Sequence, residues 1–278
     1  MPEVNEETVE RNGESKGLIR RFLDAPADSV GKTLFVAIVL CLVASMIVSA
    51  AAVALRPVQQ ANQLRDKRIN ILQVAGVYDP DVPVDEAFAN FEPHVLDLET
   101  GEFTDKFDID TFDELAASGD PAIVRALDED PAGLGGTMQV FRMVYLLRDD
   151  NGAISKVVLP IEGYGLWSTL YGFIALEANG NDIYGLQFYQ QGETPGLGAE
   201  VDNPRWKALW NGKKLFTEDG KLAITVSKSV PPEGPDYHVD ALAGATLTSR
   251  GVDNLVRFWM GEAGYGTFLE RLQAGEVS

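Results

Sequence analysis

The longest apolar run of the chain lies near its start. Thr33 to Leu55 reads TLFVAIVLCLVASMIVSAAAVAL and contains no charged residue. As a helix rising about 1.5 Å per residue, this run reaches roughly 34 Å, enough to cross the hydrocarbon core of a bilayer. A cleaved signal peptide would have a shorter apolar run and a shorter polar segment before it. The pattern therefore predicts one retained transmembrane helix, over residues 31–56.

Beyond the span, the spacing of apolar residues first stays helical and then alternates. Residues 58–75 have helical spacing, so we expect the helix to continue past the membrane. Alternating segments flank the turn sequences DDNG at 149–152 and NGND at 179–182, which predicts two β-hairpins. KLAITVSK at 221–228 predicts one further strand.

Apolar stripes near the end of the chain predict two helices. The first stripe has i, i+3, i+4, i+7, i+8 spacing and the second is shorter. They consist of Val252, Leu255, Val256, Trp259 and Met260, and of Phe268, Leu269 and Leu272. Hairpins followed by separate helices predict an α+β fold with a mostly antiparallel sheet and flanking helices.

Two segments of the chain are strongly acidic. Residues 1–30 are predicted to form an acidic tail, and residues 79–130 are rich in Asp, Glu and Pro. Within the second segment, DKFDIDTFDEL at 105–115 resembles a calcium loop but lacks the required glycine and ligand spacing. It is interpreted as a solvated acidic surface.

Charge and composition restrict the function further. The formal net charge is -19, from 42 acidic and 23 basic residues, and this argues against a nucleic-acid partner. Cys41 is the single cysteine, so a disulfide within the chain and a four-cysteine metal site are excluded. His94 and His238 lie far apart in sequence, and a histidine metal site is disfavoured.

The basic residues that flank the span bear on its orientation. Five precede the apolar run 33–55 and four follow it, but Lys32 directly precedes the run, whereas Arg65, Lys67 and Arg68 lie ten or more residues beyond it. This distribution favours an N-terminus in the cytoplasm and a following domain on the far side of the membrane.

Three stretches rich in glycine are candidates for a binding site. They read PIEGYGLWSTLYGF at 160–173, YQQGETPGLGAE at 189–200 and DALAGATLTS at 240–249. Glycine lets a flat ligand approach the backbone, although three ordinary connections between strands would also explain the pattern.

Thr246 has small neighbours, which leave its hydroxyl accessible. Thr248 or Ser249 would be able to cap the helix that follows. A phosphate on Thr246 would then lie near a helix N-terminus, where an anion is stabilised.

The third stretch resembles the flavinylation motif D-x-x-[S/A]-G-A-T of the FMN-binding domain family, with Ala243 where serine is common. GLWSTLYGF, GETPGLG, the single N-terminal span, NILQVAG at 70–76 and GTFLERL at 266–272 resemble signatures of one of its members. These signatures are typical of the C subunits of sodium-translocating NADH:quinone reductases, which form one branch of the FMN-binding domain family. The resemblance extends from about residue 30 to the end of the chain.

The resemblance implies one FMN, attached covalently through its phosphate to Thr246. It implies that Asp240 is the motif's acid, read by a flavin transferase, and that Gly244 and Ala245 belong to the attachment loop. Thr248 would bind the phosphate or cap the helix. The residues expected to contact the flavin are Trp167, Thr194, Leu197 and Gly198. No side chain is expected to carry out acid–base catalysis, because the cofactor supplies the chemistry.

For the whole protein, the resemblance implies an electron-transfer subunit of a six-subunit complex in the inner membrane. Such a complex oxidises NADH, reduces ubiquinone and moves sodium outward. This subunit would carry electrons from an iron–sulfur centre to another covalent FMN. The expected division is a cytoplasmic tail at 1–30, a span at 31–56 and a periplasmic domain at 57–278, with the FMN region at 135–278.

Three alternatives remain open at this point. The first is the equivalent G subunit of the Rnf electron-transport complex, which shares the G-A-T motif. The second is a membrane-anchored binding protein that carries no flavin. The third is a stand-alone exported flavin reductase.

Overall fold

The computed structural model describes residues 26, 29–109, 112 and 123–277. Its first element is helix α1, Val30–Val74, which is 45 residues long and includes Pro57. Within the described part of the chain, α1 is the one helix long and apolar enough to cross a membrane. The long apolar helix and its continuation past the apolar run are both confirmed. The chain divides into two compact units after Gln63, so the last turns of α1 belong to the second unit.

The second unit contains a six-stranded sheet in the order β2-β1-β5-β6-β7-β8, in which every neighbouring pair is antiparallel. The strands of the described residues are β1 Phe91–Asp97, β2 Glu102–Phe103, β3 Val124–Ala126, β4 Thr137–Gln139, β5 Phe141–Arg148, β6 Ile154–Tyr164, β7 Thr169–Glu177, β8 Ile183–Gln190, β9 Thr225–Ser227 and β10 His238–Asp240. Both predicted hairpins are confirmed as β5–β6 and β7–β8.

Four further helices follow α1 in the described residues. They are α2 Val84–Phe88, α3 Pro204–Lys207, α4 Thr246–Met260 and α5 Gly266–Gln273, with short 3-10 turns at Gly198–Asp202, Ala208–Trp210 and Pro235–Tyr237. The two helices predicted from the apolar stripes are confirmed as α4 and α5. Helix α4 begins six residues before its first stripe residue, Val252.

Two predictions from the strand pattern need correction. No strand was predicted in the acidic segment 79–130, yet β1 lies inside the sheet beside β5 and buries Val95 and Leu96. The strand predicted at 221–228 forms only as β9, which pairs in parallel with β10 in a separate two-stranded sheet. Only residues 105–109 and 112 of the calcium-like stretch lie among the described residues.

The two faces of the main sheet bury two different sets of side chains. Successive residues of a strand point to opposite faces, so Val157 and Leu159 of β6 pack with α4 and α5, while Val158 faces the other way. On that second face, Val158 packs with the end of α1, where Ile71 and Leu72 are fully buried. The C-terminal end of α1 is therefore part of the core of the domain.

Helix α4 approaches the end of β6 so closely that two glycines are required. A Cβ atom at Gly251 would lie 2.5 Å from the carbonyl oxygen of Tyr164, and one at Gly163 would lie 2.5 Å from Cβ of Leu255. The indole N–H of Trp259 donates to the carbonyl oxygen of Glu162 at 2.7 Å and fixes the helix along the strand. This packing brings the first turn of α4 beside the turn that follows β6.

Candidate functional site

The three glycine-rich stretches meet at one buried carboxylate, Glu193, which is 6% exposed. Its Oε1 accepts hydrogen bonds from the backbone N–H groups of Leu166 and Trp167, both at 2.9 Å. Its Oε2 accepts a hydrogen bond from the hydroxyl of Thr248 at 2.7 Å. Glu193 belongs to the second stretch and its partners to the first and third, so one side chain joins all three.

Two glycines make room for this carboxylate. A Cβ atom at Gly198 would lie 2.5 Å from Oγ1 of Thr248 and 2.6 Å from Oε2 of Glu193. A Cβ atom at Gly165 would lie 2.6 Å from Oε1 of Glu193. The loop after β8 and the turn after β6 can therefore close on Glu193 only because neither position carries a side chain.

Glu193 is held in its ionised form. Burial raises the pKa of Glu193, but hydrogen bonds from the Trp167 N–H, the Thr248 hydroxyl and the Leu166 N–H together outweigh it. The net result is a pKa below the ordinary value of a glutamate. The site therefore contains a fixed negative charge, which is stabilised by neutral donors rather than by a Lys or Arg among the described residues.

Thr246 is exposed and is the first residue of α4. The N-cap residue is Ala245, whose side chain cannot accept a hydrogen bond. The first backbone N–H groups of a helix have no acceptor within the helix, and they carry a partial positive charge. The hydroxyl of Thr246 thus lies where a phosphate would meet unpaired donors.

The prediction that Thr248 or Ser249 caps this helix is wrong. Both residues lie inside α4 and are buried, at 1% and 2% exposure. Thr248 donates to Glu193, whereas the Ser249 hydroxyl accepts from the N–H of Leu242 and donates to the carbonyl oxygen of Ala245. Both hydroxyls face inward because the helix starts earlier than its apolar stripe indicates.

The loop before α4 lies against the loop after β8. Gly244 has a φ of +76°, which favours glycine, and its missing Cβ would lie 3.2 Å from Cδ2 of Leu197. Ala245 is buried and belongs to the hydrophobic core. Thr194 is exposed, and its carbonyl oxygen accepts from the N–H groups of Leu197 and Ala199, both at 3.1 Å, which orders the turn.

Apolar side chains are exposed around the loop before α4. Trp167 is 66% exposed, Leu247 is 53% exposed and Leu197 is 44% exposed. Large apolar side chains left in water around a set of converging loops are typical of a surface that receives a ligand or a partner.

Asp240 takes a different position from the other predicted residues. It ends β10, its carbonyl oxygen accepts from the indole N–H of Trp206 at 2.8 Å, and its carboxylate is exposed. Oδ1 of Asp240 lies 3.9 Å from Nδ1 of His238 and does not join the hydrogen bonds around Glu193. The structure thus brings Trp167, Gly198 and Thr248 together at Glu193 and leaves the Asp240 side chain facing solvent.

Sequence reasoning missed the central residue of the site. Glu193 lies within GETPGLG, but the resemblance of that stretch assigns no role to it. One feature of the sequence would have indicated it: an acidic residue in a glycine-rich loop can accept hydrogen bonds from several backbone N–H groups at once. Ser168, whose hydroxyl accepts from the N–H of Gly192 at 2.7 Å, was missed in the same way.

Comparison with known protein families matches residues 165–261 to the FMN-binding domain. This range contains Glu193, Thr246 and the loops that join them, so the fold and the site together define a flavoprotein domain that follows a long apolar helix.

Comparison with individual proteins specifies the family. The chain is 48% identical over 262 residues to the C subunit of the Na(+)-translocating NADH-quinone reductase of Pseudomonas aeruginosa, covering 91% of this chain and 100% of that protein. It is 45% identical to the C subunit of the same enzyme from Vibrio alginolyticus, covering 90% of this chain and 98% of that protein. The crystal structure of Shewanella oneidensis NqrC matches with a TM-score of 0.69 at 37% identity, covering 76% of this chain and 98% of that one. The chain belongs to the family of Na(+)-translocating NADH-quinone reductase C subunits.

Proposed function

We propose that this protein carries one FMN, linked through its phosphate to the hydroxyl of Thr246. The observation that supports this most directly is the exposed threonine at the first position of α4. A phosphoester there would be stabilised by the unpaired N–H groups of the first helical turn. Gly244 and Ala245 add almost no side-chain bulk, so a flavin transferase has access to the hydroxyl.

The loops around Thr246 offer a surface for the flavin ring. Trp167 supplies an exposed aromatic plane, Leu197 an exposed apolar side chain, and Gly198 and Thr194 a loop whose backbone a flat ring can approach closely. When bound, FMN supplies the ability to accept and donate electrons singly. The residues of the chain hold and orient it, and we assign no proton transfer to any of them.

Asp240 fits recognition of the protein by the flavin transferase better than contact with the ring. Its carboxylate is exposed and lies apart from the hydrogen bonds around Glu193. Thr248 directs its hydroxyl at Glu193 and thereby fixes the first turn of α4, to which the phosphate would be attached.

At the level of the complex, we propose an electron-transfer subunit of a six-subunit sodium-pumping NADH:ubiquinone reductase. It would pass single electrons from an iron–sulfur centre to the covalent FMN of a neighbouring subunit. The relatives in Pseudomonas and Vibrio, matched over nearly their whole length, support this role over the Rnf subunit and over a stand-alone flavin reductase.

We further propose that α1 anchors the chain in the inner membrane, with the tail 1–30 in the cytoplasm, the span at 31–56, and the domain 57–278 with its FMN region 135–278 in the periplasm. A single cysteine placed at exposed Ser229, with Cys41 replaced by serine, tests the orientation. It should react in spheroplasts with a thiol reagent that cannot cross the membrane. Reaction only after lysis would reverse the proposed orientation.

Mass spectrometry of the full chain, produced together with its flavin transferase, tests the attachment. The chain should gain the mass of FMN minus water on the peptide that contains Thr246. Thr246→Val should remove this gain completely, and Thr246→Ser should retain part of it because the nucleophile is kept. As a control, Thr100→Val changes an exposed threonine in the turn between β1 and β2 and should leave the gain unchanged.

Two results would contradict the proposal. One is a covalent flavin that persists in Thr246→Val. The other is an unmodified Thr246 in a wild-type chain that has met an active transferase, which would favour a membrane-anchored binding protein without flavin.

A further inference from the structure

We infer that Glu193 is a positioning residue that lowers the reduction potential of the flavin, by holding the Trp167 turn against the first turn of α4 and by keeping a fixed negative charge among the groups that contact the ring. This inference rests on the proposed function, because it requires a flavin at Thr246.

The positioning role follows from how the two carboxylate oxygens are used. Oε1 binds the N–H groups of Leu166 and Trp167, and so sets the backbone of the turn that presents the Trp167 ring. Oε2 binds the hydroxyl of Thr248, two residues after the attachment point. Glu193 thus fixes the spacing between the aromatic plane and the residue that carries the phosphate.

The loop that contains Glu193 is itself fixed on both sides. The backbone N–H of Glu193 donates to Oε1 of Gln191 at 2.6 Å, and the N–H of Gly192 donates to Oγ of Ser168 at 2.7 Å. Gly198 approaches the same carboxylate so closely that a methyl group does not fit. The backbone that carries the carboxylate is therefore held in place, and a carboxylate that moved away would lose its bonds to Leu166, Trp167 and Thr248.

The electrostatic role follows from burial and from the kind of partner. Adding an electron to a group beside a fixed negative charge costs more free energy than adding it beside a neutral one, and the difference is largest where water is excluded. Because the hydrogen-bond partners of Glu193 are neutral donors, Glu193 and these partners together keep a net charge of minus one. The Thr248 hydroxyl directs its positive hydrogen at Oε2 and offsets part of the field.

These two interactions predict shifts of opposite sign. Glu193→Gln removes the charge but keeps an oxygen that can accept from Leu166 and Trp167, so the midpoint potential should rise. Thr248→Val removes the hydroxyl but keeps the charge and the side-chain shape, so the potential should fall. A general loosening of the site predicts no such opposition.

The experiment is a reductive titration of the flavinylated full chain in detergent at pH 8, where Glu193 is ionised. The matched control is Glu200→Gln, which removes the same charge from the same glycine-rich stretch, at a partly exposed glutamate whose side chain accepts from Asn203. Its shift should be smaller than that of Glu193→Gln. Thr248→Ser restores the donor and should recover most of the potential lost in Thr248→Val.

Each outcome decides the inference. A shift in Glu193→Gln that is negative, or no larger than that of Glu200→Gln, would overturn it. If Glu193→Gln does not fold, Thr248→Val decides alone: a fall that Thr248→Ser reverses supports the inference, and any other result overturns it. Failure of the proposed function is seen separately, as a wild-type chain without the added mass of FMN.

Discussion

Truncating one leucine near the end of α1 tests whether that helix is part of the domain core. Leu72 is fully buried and packs in the cluster that contains Val158 and Phe173. Leu64 lies on the same helix and is 52% exposed. Leu72→Ala and Leu64→Ala therefore make the same chemical change, with the same effect on helix propensity, at a buried and at an exposed position.

The expected sizes differ by several fold. Removing a fully buried leucine side chain and leaving a cavity costs about 2–5 kcal/mol, whereas a substitution at an exposed position stays within about 0.5 kcal/mol. A domain stable by about 5–15 kcal/mol loses a large fraction of its stability in the first case. With a urea dependence of about 2 kcal/mol/M, Leu72→Ala should lower the unfolding midpoint by roughly 1–2.5 M.

Tryptophan fluorescence during urea unfolding measures this difference in the full chain in detergent. All four tryptophans lie at or after residue 167, so the signal reports on the domain and not on the apolar part of α1. Equal midpoints for Leu72→Ala and Leu64→Ala, or a shift below about 0.3 M for Leu72→Ala, would refute the assignment of the α1 end to the core.

Two further predictions concern the site. Gly198→Ala places a methyl group 2.5 Å from Oγ1 of Thr248, and it should lower both thermal stability and flavin content. In the control Gly192→Ala, the nearest contact of the methyl group is 3.2 Å, to Ser168, and both losses should be much smaller. Equal losses in the two variants would contradict the close approach of Gly198 to Thr248. The pKa of Glu193 is lowered in the folded state, so the stability that its charge contributes is present above the unfolded pKa of 4.5 and is lost as pH falls through the folded value. When the urea midpoint is measured from pH 7 to pH 3, it should therefore decrease once the pH is below about 4.5, and this decrease should be smaller in Glu193→Gln. Parallel pH dependences of the midpoint in the wild type and in Glu193→Gln would argue against an ionised Glu193.

The elements whose pattern extends over many residues were predictable from the sequence. The apolar run and its helical continuation predict α1, and two turn sequences between alternating segments predict the hairpins β5–β6 and β7–β8. In each case many residues agree with one spacing, so a single exception does not change the result.

Strand β1 was missed because its signal comes from few residues. Pro93 and His94 interrupt its apolar positions, and acidic residues flank it on both sides. Its place in the sheet depends on pairing with β5, which is a contact between residues distant in sequence. The same holds for β9, which finds its partner in β10 rather than in the main sheet.

In the site, sequence patterns indicated the loops but not the contact that joins them. The glycines of the three stretches, and Thr246 itself, stand out by composition and by resemblance to a motif. That Glu193 reaches back across 27 and 26 residues to Leu166 and Trp167, and forward across 55 residues to Thr248, depends on the packing of α4 along β6. The spacing of residues along the chain does not indicate a contact between positions so far apart in sequence.

The close approach of α4 to β6 also limits how this family can change over time. A methyl group at Gly251 would meet the carbonyl oxygen of Tyr164, and no mutation can remove a backbone atom. A methyl group at Gly163 would meet Cβ of Leu255, the atom that every residue except glycine possesses. Neither change can be rescued by shrinking a neighbour while keeping the helix intact, so both positions should stay glycine even where the surrounding core drifts freely.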